Sequence, residues 1–273
     1  MKSIQKLIFF AFSTFTFVSC QDVIDIELRD ADRRYVIEGA VTEGVDSAIV
    51  RVSRTTSFFD TAEPEAIGDA QVLLTLPDGS QRTLLHTENG YYIVRGITPM
   101  ANASYSLNVQ VNGQTFTASA YMPSAVPLDS LSYRPEEILF GPIPQGPPKQ
   151  RVFLHFQDPA STNYYRATTI ANGYPYNSLE NLQLFDDQLT NGNYIEIPIF
   201  YQRYLMGDTV DVSMLTMDAS VYTFLETFSS AASADAGSPF SATPDNPISN
   251  IKGGALGVFA AYGRSERRVI LVP

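Results

Sequence analysis

From Arg34 onward, apolar and polar side chains alternate in short runs divided by turn-forming residues, the period of strands with one buried face. "YVIEGAVTE" and "SAIVRVSRT" predict the first two strands. "AQVLLTLPDGSQRTLLH" predicts a hairpin turning at Pro77-Asp78-Gly79, where proline presets φ and glycine supplies a positive one. "GYYIVRGITP" adds a strand, and "SYSLNVQVNGQTFTASAYMP" a second hairpin whose Asn112-Gly113 favours a type I′ turn. Seven short strands with no helical segment between them predict an immunoglobulin-like or transthyretin-like β-sandwich over residues 34–123.

Seven prolines then lie from Pro123 to Pro148, including "GPIPQGPP"; they break helices and cannot donate into a sheet ladder. The stretch 124–148 therefore reads as a linker at a domain boundary or as a long excursion between strands. Alternation resumes in "RVFLHFQDP", "NYYRATTIANGY", "NYIEIPIFY" and "DTVDVSMLTM", and "GGALGVFAAY" with "RRVILVP" closes the chain. One helix, over about 219–232, interrupts this second domain of 149–273: Val221, Phe224, Leu225 and Phe228 recur at helical spacing, and Asp218 is placed to cap the amino end. The expected fold is mainly β, two β-sandwich-like domains with one helix in the carboxyl-terminal one.

The start of the chain follows a different pattern. Lys2 and Lys6 precede an apolar run from Leu7 to Val18 that is too short for a stable membrane span, which takes about 20 residues. This predicts a secretory signal over 1–19. Ser19 before Cys20, the lone cysteine, is similar to the bacterial lipoprotein signal, in which the cysteine becomes the acylated first residue. Read otherwise, Cys20 would follow a plain signal or pair with a second chain. The expectation is lipidation of Cys20, a tether over 20–33, and a body attached to the membrane by its lipid alone, since no later segment is apolar for long enough to cross as a helix. Loss of the signal removes Lys2 and Lys6 and no acid, leaving 16 basic against 29 acidic residues. That balance argues against nucleic acid as a partner.

The lipoprotein cysteine, "YVIEGAVT", "IGDAQVLL", "FQDPASTNYYR", "GDTVDV" and the terminal "NPISNIKGGALGVF", in this order, resemble the domain-of-unknown-function 4249 lipoproteins of Bacteroidetes-type bacteria from Cys20 to about Phe259. The resemblance implies an outer-membrane lipoprotein of a kind often encoded beside a TonB-dependent receptor. It carries over no catalytic residues and names no ligand.

Candidate chemistry is sparse. His86 and His155 lie in strand-like runs without a second imidazole or thiolate at ligand spacing, which speaks against a zinc site; no metal or cofactor is expected. Nucleophile-elbow, zinc-protease and dinucleotide motifs are absent. "SNIK" at Ser249–Lys252 matches S-x-x-K without its companion motifs, and "DDQLTNG" at Asp186–Gly192 lacks the ligand spacing of a calcium loop, so it reads as a solvated turn. "GRSERR" reads as a solvated hairpin tip, and the glycines of "NIKGGALG" as a bend.

Aromatics crowd the second domain, and Tyr174, Tyr176 and Tyr201 are the candidate partner or ligand surface, since tyrosine joins an apolar face to a polar tip. The expected function is that of a non-enzymatic accessory of a TonB-dependent transporter, anchored at the outer membrane, in nutrient capture or uptake. A structural or adhesive surface module and a hydrolase with an unrecognised acidic site are the alternatives.

Overall fold

The computed structural model describes residues 32–56, 63–136, 146–176, 182–234 and 245–272. The predicted signal, Cys20, most of the tether and residues 137–145 of the predicted linker lie outside the described residues. Alternation in the amino-terminal half becomes β1 (Tyr35–Thr42), β2 (Ser47–Arg54), β3 (Glu65–Ala66), β4 (Gln71–Thr75), β5 (Gln81–His86), β6 (Tyr91–Arg95), β7 (Ala103–Val111) and β8 (Gln114–Met122). Both predicted hairpins form: β4 pairs antiparallel with β5, and β7 with β8 around Asn112 and Gly113 at φ 49° and 74°.

The remaining strands are β9 (Ser130–Pro135), β10 (Gln150–Gln157), β11 (Tyr164–Ala171), β12 (Tyr174–Tyr176), β13 (Gln183–Asp186), β14 (Tyr194–Pro198), β15 (Thr209–Met217), β16 (Ile251–Lys252) and β17 (Leu256–Ile270). The helix α1 spans Ala219–Ala234, and Asp218 caps it as predicted, its Oδ1 accepting the Ser220 and Val221 amides at 2.9 and 3.0 Å. The chain is mainly β, built of sandwich-like halves.

In the first half, β1, β2 and β6 form one layer and β4, β7 and β8 the other, with β5 pairing to both β4 and β6 at one edge. The other edge is closed by the end of the chain. β16 pairs with β8, Gly253 and Gly254 turn the chain at φ 101° and 92°, and β17 then runs parallel to β1 from Val36↔Leu256 to Thr42↔Tyr262. Ile37, Val52, Leu74, Tyr105, Val109 and Phe259 lie in the core between these layers.

Past Tyr262, β17 leaves β1 and pairs antiparallel with β15 from Thr216↔Gly263 to Thr209↔Ile270. That sheet continues to β11, with β12 and β13 along the outer edge of β11, and it packs on the three-stranded sheet β14-β10-β9 around Leu128, Leu154, Phe156, Tyr165, Val212 and Leu271. α1 lays Val221, Phe224 and Leu225 on Met217, Ala260 and Tyr262.

Two sequence expectations need correction. Among the described residues three buried clusters form, one in each half and one beneath α1, and Arg33–Pro273 is one compact unit, because β17 contributes to all three and a single extended sheet runs through both halves. Nor does 124–148 link separate domains along its described length; it is the excursion between strands, with Val126 and Leu128 buried in the second core, the Leu128 amide donating to Ser265 Oγ at 2.8 Å, and Ser130–Pro135 a strand. Likewise "GRSERR" is no hairpin tip. It lies within β17, where Arg268 holds Asp211 through two bonds of 2.6 and 2.9 Å and Arg264 meets Glu266 at 3.2 Å.

Candidate functional site

β11 and β12 are joined by Asn172-Gly173, both in the left-handed region at φ 51° and 84°, the backbone of a type I′ turn. Such a turn makes Ala171 and Tyr174 a hydrogen-bonded pair, Thr169 and Tyr176 the next one, and leaves Pro175 with its backbone directed outward. Proline has no N–H there. The free edge of β12 therefore denies an incoming strand its central donor, and recognition at this edge falls to side chains. Tyr174 is 73% exposed and Tyr176 48%, both projecting from one face of the strand.

The connection from β14 to β15 runs beside this edge and is held by its backbone. Tyr204 exchanges two bonds with Gln150, at 2.7 and 3.0 Å, and the Phe200 amide donates to Gln183 Oε1 at 2.9 Å. Arg203 and Arg151 both bind Glu136, and the two guanidiniums, Arg203 foremost, hold its carboxyl below the ordinary range. With the backbone fixed, Phe200, Leu205 and Met206 face solvent, as does Tyr201, which is 58% exposed. Asn172 Nδ2 donates to Asp208 Oδ1 at 2.8 Å and the Thr209 amide to Asn172 Oδ1 at 3.0 Å, so the β11–β12 turn and the Leu205–Asp208 turn are neighbours. The structure thus sets the β11–β12 turn, which leads into Tyr174 and Tyr176, beside the turn that follows Leu205 and Met206, with Tyr201 earlier on the same connection. Leu205 and Met206 were not singled out from the sequence; an apolar pair ahead of the turn-forming Gly207 was the available signal.

"DDQLTNG" proves not to be simply solvated. Asp187 is 1% exposed, and its Oδ2 accepts the Asn163 amide at 2.7 Å. Asp158, also buried, accepts the Tyr165 hydroxyl and, at 2.9 Å, the Gly192 amide. Burial raises the Asp187 carboxyl above its ordinary range and the Asp158 charge adds to this; burial, with the bond to Asp158, also raises the Tyr165 hydroxyl. These carboxylates fasten the loops 158–163 and 187–193 to one another. Among the described residues no three of His, Cys, Asp and Glu converge as metal ligands would. Ser249 of "SNIK" donates to the Gly257 carbonyl at 2.6 Å and accepts the Ile251 amide at 3.1 Å, which fixes the entry to β16. His86 packs on Tyr92 with ring centres 5.2 Å apart, and His155 stands on the outer face of β10.

A cleft of about 470 Å³ opens where the halves meet, lined by Tyr121, Ser124, Pro127, Thr162, Tyr164 and Asp218. Asp218 has both oxygens engaged there, one on the helix start and one on the Tyr121 amide at 2.8 Å. No helix of the described residues is long and apolar enough to cross a membrane. No curated protein matches the chain. The model of a domain of unknown function, DUF4249, matches residues 21–268, and the chain belongs to that family.

Proposed function

We propose that this protein is an outer-membrane lipoprotein, anchored through acylated Cys20, that serves as an accessory of a TonB-dependent transporter in nutrient capture and docks through the aromatic end of its second half. The observation that carries the docking role is the exposure of Tyr174, Tyr176 and Tyr201 on backbone held rigid by Asn172, Gln183 and Gln150. Rigid aromatics lose little entropy on binding and dominate protein interfaces. The anchor is supported by the basic and apolar start of the chain and its lone cysteine.

Cys20→Ala should move the protein out of the membrane fraction, and its persistence there would remove the anchor from the reading. Affinity purification from detergent-solubilised outer membranes should recover a TonB-dependent receptor with the native chain and much less with the Tyr174→Ala, Tyr176→Ala, Tyr201→Ala triple variant. Recovery of the native chain alone would overturn the partnership, and equal recovery by both would overturn the surface.

A further inference from the structure

On the outer face of the sheet β14-β10-β9, three side chains from three strands stand in line. Ser132 Oγ of β9 is 2.6 Å from His155 Nε2 of β10, and His155 Nδ1 is 3.8 Å from Glu196 Oε2 of β14. The register explains the meeting: Glu196 lies directly opposite His155, while Ser132 is opposite Phe153 and reaches His155 on the diagonal. Arg134, two positions beyond Ser132 on the same face, lays its guanidinium over the Phe153 ring at 3.7 Å and binds Glu196 Oε1 at 2.5 Å. Phe153 points outward yet is only 7% exposed beneath this ring of polar groups, and the Tyr194 ring stacks beside His155 at 6.4 Å.

We propose that Ser132 and His155 form a serine acyl-transfer site for carboxylic esters with small acyl groups, with Glu196 as the positioning residue. This goes beyond the docking role and uses a different face. In the tautomer this site uses, Nδ1 carries the proton toward the Glu196 carboxylate and Nε2 accepts the serine hydroxyl, as a general base needs. The 3.8 Å separation from Glu196 is of the kind that tightens in substrate complexes. Arg134 supplies the positive charge for the developing oxyanion in place of backbone amides; its guanidinium retains free N–H donors beside Glu196. Tyr194, 59% exposed beside His155, gives a short acyl group an apolar face, while Phe153 lies beneath Arg134.

The chemistry balances without an oxidant or reductant. Ser132 Oγ bonds to the ester carbonyl carbon as its proton passes to His155 Nε2. The carbon–oxygen bond to the alcohol then breaks, and the alkoxide leaves with that proton. Water, deprotonated by His155, next attacks the acyl carbon, and Ser132 Oγ departs and recovers the proton, releasing the acid. The site was invisible to motif searches because its members lie at residues 132, 155 and 196, on separate strands.

The test treats the full-length protein with a fluorophosphonate probe, in which Ser132 Oγ would displace fluoride from phosphorus, and maps the adduct by peptide mass spectrometry. Label is expected on Ser132 of the native chain, absent from Ser132→Ala, and slower by about 100-fold in His155→Gln. p-Nitrophenyl acetate turnover should fall with Ser132→Ala while His155 is retained, which separates serine catalysis from simple imidazole catalysis. In Glu196→Gln kcat for p-nitrophenyl acetate should fall while KM holds, since Glu196 orients the imidazole without touching the ester. An unlabelled native Ser132, or equal labelling in His155→Gln, would overturn the proposal and leave the polar ring as a cover for Phe153.

Discussion

In the amino-terminal sandwich, Tyr92 and Tyr105 stand inside the core with hydroxyls tied to backbone. Tyr92 donates to the Ile67 carbonyl and accepts the Ala70 amide, both at 2.9 Å, and Tyr105 binds both polar groups of Met100. In the second half the buried Tyr165 donates to a buried carboxylate, and Tyr174, Tyr176 and Tyr201 stand outside altogether. A hydroxyl on backbone costs the core no charge. A hydroxyl on Asp158 commits the second half to holding charge away from water, which is worth its cost only if the loops it fastens must stay in place. The first half is thus organised for closure, the second for presenting fixed loops and exposed rings.

The comparison breaks most completely at the strand both halves share. Gly257 has φ 99°, and a Cβ there would fall 2.0 Å from the Ile37 carbonyl oxygen. Gly257→Val should therefore cost more than about 3 kcal/mol, through strain and the lost β1–β17 pairing. Because β17 also carries the β15 pairing, both halves should melt together at lower temperature. Calorimetry showing two transitions, with the second unchanged, would make the halves independent.

Next in size are the buried hydroxyls. Tyr165→Phe leaves the Asp158 carboxylate short of a donor in the core and should cost about 2–3 kcal/mol. Tyr92→Phe strands only neutral backbone groups and should cost about 1–2 kcal/mol. Urea denaturation of the two variants orders them, and equal losses would remove the distinction between the halves.

Asp187 sharpens the same contrast through pH. A carboxyl whose pKa is higher folded than unfolded contributes stability that is full below the unfolded value and is lost as pH rises through the folded one. Asn carries no charge at either end of that window. Asp187→Asn should therefore raise the melting temperature relative to the native chain near pH ~7 and less so near pH ~4. A gain of the same size at both would show that Asp187 does not carry the effect.

What the sequence disclosed was local. Pro77-Asp78-Gly79, Asn112-Gly113 and the Asp218 cap act within a few residues, and each appears where expected. The pairing of β1 with β17 joins Val36 to Leu256, and nothing in a period-two pattern says which distant strand completes a sheet. "GRSERR" misled for a related reason: a strand partly exposed on both faces has no alternation to read, and Arg268 is answered by the distant Asp211 only in the fold. The exposed tyrosines were legible as a type of residue but not as a surface, since Tyr165 and Tyr174 look alike until burial separates them.

The smallest effect on stability belongs to the surface with the largest expected effect on association. Tyr174 and Tyr176 sit on a three-residue edge strand, and Tyr201 on a connection whose bonds are made by the backbone of Phe200 and Tyr204. None of the three is part of a buried core. Replacing all three by Ala removes exposed apolar area and some strand preference while leaving every named bond intact, so the summed cost should stay below about 1 kcal/mol. The melting temperature should then shift by only a few degrees while receptor recovery falls sharply. A loss of several kcal/mol would instead place these rings in the packing of the fold, and the contrast between closed and presenting halves would fail where it was drawn most sharply.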